Sequence, residues 1–109
     1  MKVYLITFYS ITNTVSRESI QKYFDIRPEI LNWFGVMPQA ILVATECSDS
    51  IVSSLLVEHF GQGIIFLITS ADQYKTQGYI NKEVWEFINN PKPSKHNGLL
   101  GLLGQGYNK

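Results

Sequence analysis

The architecture of this chain turns on one run, Trp33-Phe34-Gly35-Val36-Met37-Pro38-Gln39-Ala40-Ile41-Leu42-Val43-Ala44-Thr45. Its second half, Ala40 to Thr45, is apolar or β-favouring at every position, the pattern of a strand covered on both faces. Its first half, Trp33 to Met37, can pair back as a short edge strand, with Pro38-Gln39 at the turn. A rival local signal overlaps it. Pro28 suits the first turn of a short helical piece, Glu29 to Trp33, closed by Gly35. With the edge strand the chain begins βαββαβ; without it the order is βαβαβα around a small parallel sheet.

Working outward, Val3 to Tyr9 (VYLITFY) reads as a central strand, and Ser10 to Thr14 as a polar loop rich in helix N-caps. Ser16 to Asp25 follows as a helix with Ile20, Tyr23 and Phe24 inward and Arg17, Glu18, Gln21 and Lys22 on its wet side. Pro28 ends or kinks it near Ile26. Asp49 to Phe60 is the cleanest helix. Ser48 can cap it, Asp49 suits the positive end of its dipole, and Gly61 fits just past its end. Val52, Leu55, Leu56 and Phe60 make its buried stripe. Gly61-Gln62-Gly63 leads into a third apolar strand, Ile64 to Thr69.

Residues 70–80 are polar and irregular, with room for a weak strand. Asn81 can cap a last helix, Lys82 to Asn89, whose inner face is Val84, Trp85, Phe87 and Ile88, and Pro91 and Pro93 stop it. The expected fold is α+β: a ferredoxin-like βαββαβ domain over residues 1–90 with helices packed on one face of the sheet, an extra C-terminal helix, and a Gly/Leu-rich tail over 91–109. The alternative is the small parallel βαβαβ sheet. The tail holds Gly98-Leu99-Leu100-Gly101-Leu102-Leu103-Gly104, an apolar stretch expected to dock on its own domain or on a neighbour.

The 109 residues fit one domain, large enough to bury a core without disulfides or metal. Apolar residues make up 45% and charged residues 17%, far from a disordered composition. So few charges suit a surface partly hidden in an oligomer. Nine basic and nine acidic residues cancel, so the whole chain lacks the basic excess of a dedicated nucleic-acid binder. Locally the balance differs: residues 91–109 carry Lys92, Lys95, His96 and Lys109 and no acid. The lone Cys47 excludes an internal disulfide. No run reaches the roughly 18 apolar residues of a membrane span, and Met1-Lys2-Val3-Tyr4 opens directly into a strand without a signal-peptide pattern. The cytoplasm is the expected compartment, with no membrane partner.

Few constellations carry chemistry. One cysteine and two distant histidines, His59 and His96, give no zinc spacing. His59, near the end of the second helix, reads as a capping or packing residue. A Cys47–His59 nucleophile pair is conceivable, because Cys47 stands just past a strand end, but twelve mostly helical residues separate the two. The hydroxyl-rich loop Ser10-Ile11-Thr12-Asn13-Thr14 has the look of a phosphate-binding helix start, yet it lacks glycine and also reads as plain helix capping. Tyr74, Lys75, Tyr79, Lys82 and Trp85 interleave aromatics with cations, as a nucleic-acid surface does. Asp72, Glu83 and Glu86 intrude on that patch. Its expected nucleic-acid or partner contacts are Tyr74, Lys75, Tyr79, Lys82, Lys92 and Lys95. No catalytic residue, metal ligand or cofactor is expected.

Trp33-Phe34, then Gln39 to Thr45, a Ser-led helix, Gly63 to Thr69, and Gly78-Tyr79-Ile80-Asn81-Lys82-Glu83-Val84-Trp85-Glu86-Phe87-Ile88 follow one another in an order that resembles the small bacterial SinR-like proteins. These are grouped with VapD and with the small ferredoxin-fold endoribonucleases of CRISPR adaptation. Met1 to Thr7 also resembles the first strand of that group, and the similarity covers roughly residues 1–90. The resemblance implies a ferredoxin-like fold and a homodimer built partly by chain ends adding to sheet edges. In the nuclease members an Asp at the end of the first strand is implicated in metal-dependent cleavage. The matching stretch here is Thr7-Phe8-Tyr9-Ser10, which has no Asp; the nearest carboxylate is Glu18, inside the first helix. Holding Mg²⁺ at phosphates normally takes one or two carboxylates.

The expectation is therefore a non-catalytic homodimeric binding protein, taking RNA, DNA or a protein, in a mobile-element, toxin–antitoxin or CRISPR-related setting. One alternative is a metal-dependent ribonuclease with a displaced site, built on Glu46 or Asp49 from two subunits. The other is an interaction or inhibitor protein that presents residues 91–109 to a partner.

Overall fold

The edge strand forms. The computed structural model describes residues 1–72 and 74–93, and in it four strands make one open sheet in the order β2-β3-β1-β4. They are β1 (Lys2–Ser10), β2 (Asn32–Met37), β3 (Ala40–Thr45) and β4 (Ile64–Ser70). Every neighbouring pair is antiparallel, which overturns the small parallel sheet. With helices α1 (Arg17–Asp25), α2 (Asp49–Phe60) and α3 (Lys82–Asn89), the protein is α+β and compatible with the ferredoxin-like plan.

The helical piece expected over 29–33 does not form. Its residues are drawn toward β3 instead: the Leu31 amide donates to Ala44 O at 2.9 Å, Asn32 pairs with Ala44 and Trp33 with Val43. Cross-strand pairing on a buried partner outweighs the weak helix-start signal of one proline. A register shift between Gly35 and Met37 bends the end of β2.

Side chains alternate across the strands, so the sheet has two different faces. One face, with Tyr4, Ile6, Phe8, Ile41, Val43 and Ile64, packs on Ile20, Tyr23 and Phe24 of α1 and on Val52, Leu55 and Leu56 of α2. The opposite face, with Val3, Leu42 and Ala44, packs on Val84, Phe87 and Ile88 of α3. The helices are thus divided between the faces rather than gathered on one. Gln21, expected on the wet side of α1, is buried, because it lies over the Gly35 backbone where β2 leaves room for it.

The caps follow the local chemistry for two helices. Ser16 and Ser19 form a reciprocal capping box at the start of α1. The Ser48 hydroxyl accepts from the Ile51 amide at α2. Gly61 ends α2 at φ +55°, a conformation L side chains rarely adopt. At α3 the expected cap is not made: no side-chain bond from Asn81 closes the first turn. Past the end of β4 at Ser70, no further strand forms over the described part of 71–80. No described helix is long and apolar enough to cross a membrane. Lys95, His96, Lys109 and the Gly98–Gly104 stretch lie outside the described residues.

Candidate functional site

The second face of the sheet is only partly covered. Helix α3 lies over its β2–β3 side, and residues 76–80 run alongside. Between them is a cavity of about 220 Å³ lined by Leu5, Val36, Leu42, Tyr79, Ile80 and Trp85, among others. Residues 76–80 reach this position after a built turn at Asp72. The Ala71 amide donates to Val3 O at 2.9 Å, which extends the β1–β4 ladder by one residue. The Asp72 carboxylate then accepts from the Tyr74 amide at 2.7 Å, and Asp72 O accepts from the Lys75 and Thr76 amides at 3.0 and 2.8 Å. Asp72 thereby closes an Asx-type turn that leaves the Tyr74 and Lys75 side chains in solvent.

The structure separates the residues expected to act together. Tyr79 borders the apolar cavity and is fully exposed, at 107% of its reference area. Lys82 and Lys92 lie on the other flank of α3, in a groove they share with Phe34, Glu83 and Glu86. Tyr74 and Lys75 project from the Asp72 turn, and Lys95 is outside the described residues. Trp85, also counted in the patch, is half-buried against the core. The three described lysines therefore surround the α3 region rather than forming one stripe.

Among the described residues, the same face continues uncovered beyond α3. The register sets Thr7 beside Leu67 and Tyr9 beside Ile65, and Tyr9, Ile65 and Leu67 are 56%, 59% and 75% exposed. Met37 is exposed as well. The sequence conceals this strip, because continuous apolar runs in β1 and β4 read as strands covered on both faces. Only the short span of α3 leaves their outer halves open.

The hydroxyl-rich loop turns out to be occupied with itself. The Ser10 hydroxyl accepts from the Thr14 and Val15 amides, both at 3.0 Å, and the Thr12 and Thr14 hydroxyls bond each other. The Ser16 amide is taken by the Ser19 hydroxyl at 2.9 Å. The Thr14, Val15 and Ser16 amides are thus already bonded, although the cleft beside the loop is open, at about 520 Å³. In that cleft Arg17 reaches over the end of β2, donating from Nη1 to Met37 O at 2.9 Å, and its Nε is buried without a hydrogen-bond partner.

The remaining candidates are not brought together. Cys47 precedes α2 and His59 sits in its last turn, so roughly 15 Å of helix separates them. His59 instead stacks on Tyr23 with ring centroids 4.0 Å apart, which is the packing role. Glu46 is exposed, 3.7 Å from the Met1 amine. Asp49 stands at the first turn of α2 beside Ser50, Ser53 and Phe66. Among the described residues no three His, Cys, Asp or Glu side chains converge as metal ligands would. No family model, curated protein or solved structure matches this chain.

Proposed function

We propose that the chain is a non-catalytic, homodimeric binding protein of ferredoxin-like fold, akin to the SinR-like and VapD-like proteins its sequence resembles, and that it takes single-stranded nucleic acid along the second face of its sheet. The observation that carries this reading is the full exposure of Tyr79 at the mouth of an apolar cavity on that face, with Tyr9 exposed on the same face of the sheet, Tyr74 exposed on the Asp72 turn, and Lys75 and Lys82 close by in the sequence. An exposed tyrosine ring offers a flat surface on which an unpaired base can stack, and lysines at its margin can neutralise phosphates. Each stacked base is worth roughly 1–3 kcal/mol, so a few rings suffice without a strongly basic surface.

The test is a titration against labelled single- and double-stranded RNA and DNA, with Mg²⁺, at low and high salt, read on a gel. The expected result is a salt-sensitive shift of single strands without cleavage, weakened about tenfold by Tyr79→Ala. Unshifted nucleic acid at low salt overturns the reading and turns the search to a protein partner. New bands that a chelator abolishes also overturn it, in favour of a ribonuclease using Glu46 or Asp49.

A further inference from the structure

The two edges of the sheet are treated differently. The β2 edge is guarded. It ends in a register shift, and α1 side chains bond onto it: Arg17 to Met37 O, and Asp25, which accepts from Trp33 Nε1 at 2.7 Å. Among the described residues the β4 edge has no such device. Ile64-Ile65-Phe66-Leu67-Ile68-Thr69-Ser70 holds no charge and no proline, and among the described residues it pairs only with β1. A long, uncharged, apolar edge is a ready template for another strand, and a protein that stays soluble covers it.

The ladder shows which groups of β4 face away from β1. The Ala71 amide donates to Val3 O and the Ile11 amide to Gly63 O, each at 2.9 Å, and the register pairs Leu5 with Thr69, Thr7 with Leu67 and Tyr9 with Ile65. Hydrogen-bonded pairs alternate along an antiparallel ladder, so these odd-numbered β4 residues turn their amides and carbonyls toward β1. Ile64, Phe66, Ile68 and Ser70 turn theirs outward.

We infer that this edge pairs with the same edge of a second copy, antiparallel, about a two-fold axis at Leu67. This rests on the homodimer in the reading above and names the surface that builds it. The register is chosen by these outward-facing groups. With the axis at Leu67, Phe66 faces Ile68 of the second copy and Ile64 faces Ser70, so all the outward-facing groups find partners. An axis at Phe66 or Ile68 leaves an end residue unmatched. Leu67 meets its own counterpart in a non-hydrogen-bonded pair, where side chains approach most closely. No pair places like charges opposite each other, and the bare strip of Ile65 and Leu67 becomes the continuous centre of a shared face. Isologous pairing consumes the edge in both copies and closes the assembly; the guarded β2 edge keeps it from growing into a fibre. A second copy fits better than an unrelated peptide because this strand is complementary to itself across that axis.

The full chain is tested by sedimentation at micromolar concentration and by cysteine cross-linking in a Cys47→Ser background. A dimer is expected, and Leu67→Lys, at a position already exposed, is expected to give a monomer with unchanged circular dichroism. Under mild air oxidation, which removes two hydrogens per bond, Leu67→Cys is expected to give a disulfide-linked dimer, because paired Cα atoms about 4.5 Å apart suit that bond. Thr69→Cys is expected not to, its two copies being about 14 Å apart in this register. The variant with Leu99, Leu100, Leu102 and Leu103 all changed to Ser is expected to stay dimeric. A dimer that neither Leu67→Lys nor Leu67→Cys affects overturns the interface and leaves the homodimer standing. Loss of the dimer in the four-serine variant overturns it in favour of the tail as occupant. A monomeric wild-type chain overturns both.

Discussion

The guanidinium of Arg17 lies directly on the Cα of Gly35. A Cβ built at Gly35 would stand 2.9 Å from the Arg17 Cζ and Nε and 2.7 Å from the Gln21 amide nitrogen. Helix α1 can therefore sit close over β2 only because this strand residue has no side chain. The expected consequence is that Gly35→Ala displaces Arg17 and Gln21, weakens the bond to Met37 O, and costs about 1–2 kcal/mol. Urea unfolding checks this; an unchanged midpoint would show that the two side chains move aside freely.

Thr45 is fully buried at the end of β3. Its hydroxyl donates to Glu29 O at 2.6 Å and accepts from the Cys47 amide at 2.9 Å. It thus ties the turn before β2 to the start of the α2 segment. Thr45→Val keeps the shape and strands both partners, so a loss of about 2–3 kcal/mol is expected. Thr45→Ser, which keeps the hydroxyl, is expected to lose less in the same thermal melts.

Tyr23 joins the two helices of the first face. Its hydroxyl donates to Leu55 O at 3.0 Å, and burial holds its pKa above the usual value of 10.0, with Glu58 and Glu29 adding to the rise against Arg27. Tyr4 is raised in the same direction, chiefly by burial. A proton held more tightly in the folded state supports stability fully below the unfolded-state pKa. That contribution is lost as pH climbs through the raised folded value. The fold is therefore expected to weaken above about pH 10. Tyr23→Phe should cost about 1 kcal/mol at neutral pH and make the alkaline decline shallower, as read by denaturation at pH 7 and pH 10.5.

Ser10 organises the loop between β1 and α1, because its one hydroxyl accepts from two amides. Ser10→Ala should cost about 1–2 kcal/mol and raise amide exchange at Thr14 and Val15. Should added phosphate protect those amides in the variant but not in the wild type, the loop would be a latent anion site that Ser10 keeps filled.

Much of the fold is legible in local chemistry. Ser16, Ser48 and Gly61 mark helix ends because capping involves only neighbours in the chain. The apolar runs at 3–9, 40–45 and 64–69 become strands because they are short and rich in β-branched or aromatic residues, which favours a strand over a helix. The stretch 29–37 was ambiguous for the same reason: its local signals conflict, and the outcome depends on β3, which lies next in sequence but acts through cross-strand pairing. The candidate site was less legible. Tyr74, Lys75, Tyr79 and Lys82 are close in sequence, yet the Asp72 turn and the two flanks of α3 set them apart in space.

By itself, then, the sequence determined the kinds and approximate limits of the elements, since hydrophobic period, caps and breakers act over a few residues. Only the tertiary structure decided which face of the sheet each helix covers, that β4, as apolar as its central neighbour β1, lies at an edge, and that Tyr9, Ile65 and Leu67 stand in solvent. Exposure is a property of what packs opposite a residue, and α3 is too short to cover the whole face its apolar strands present.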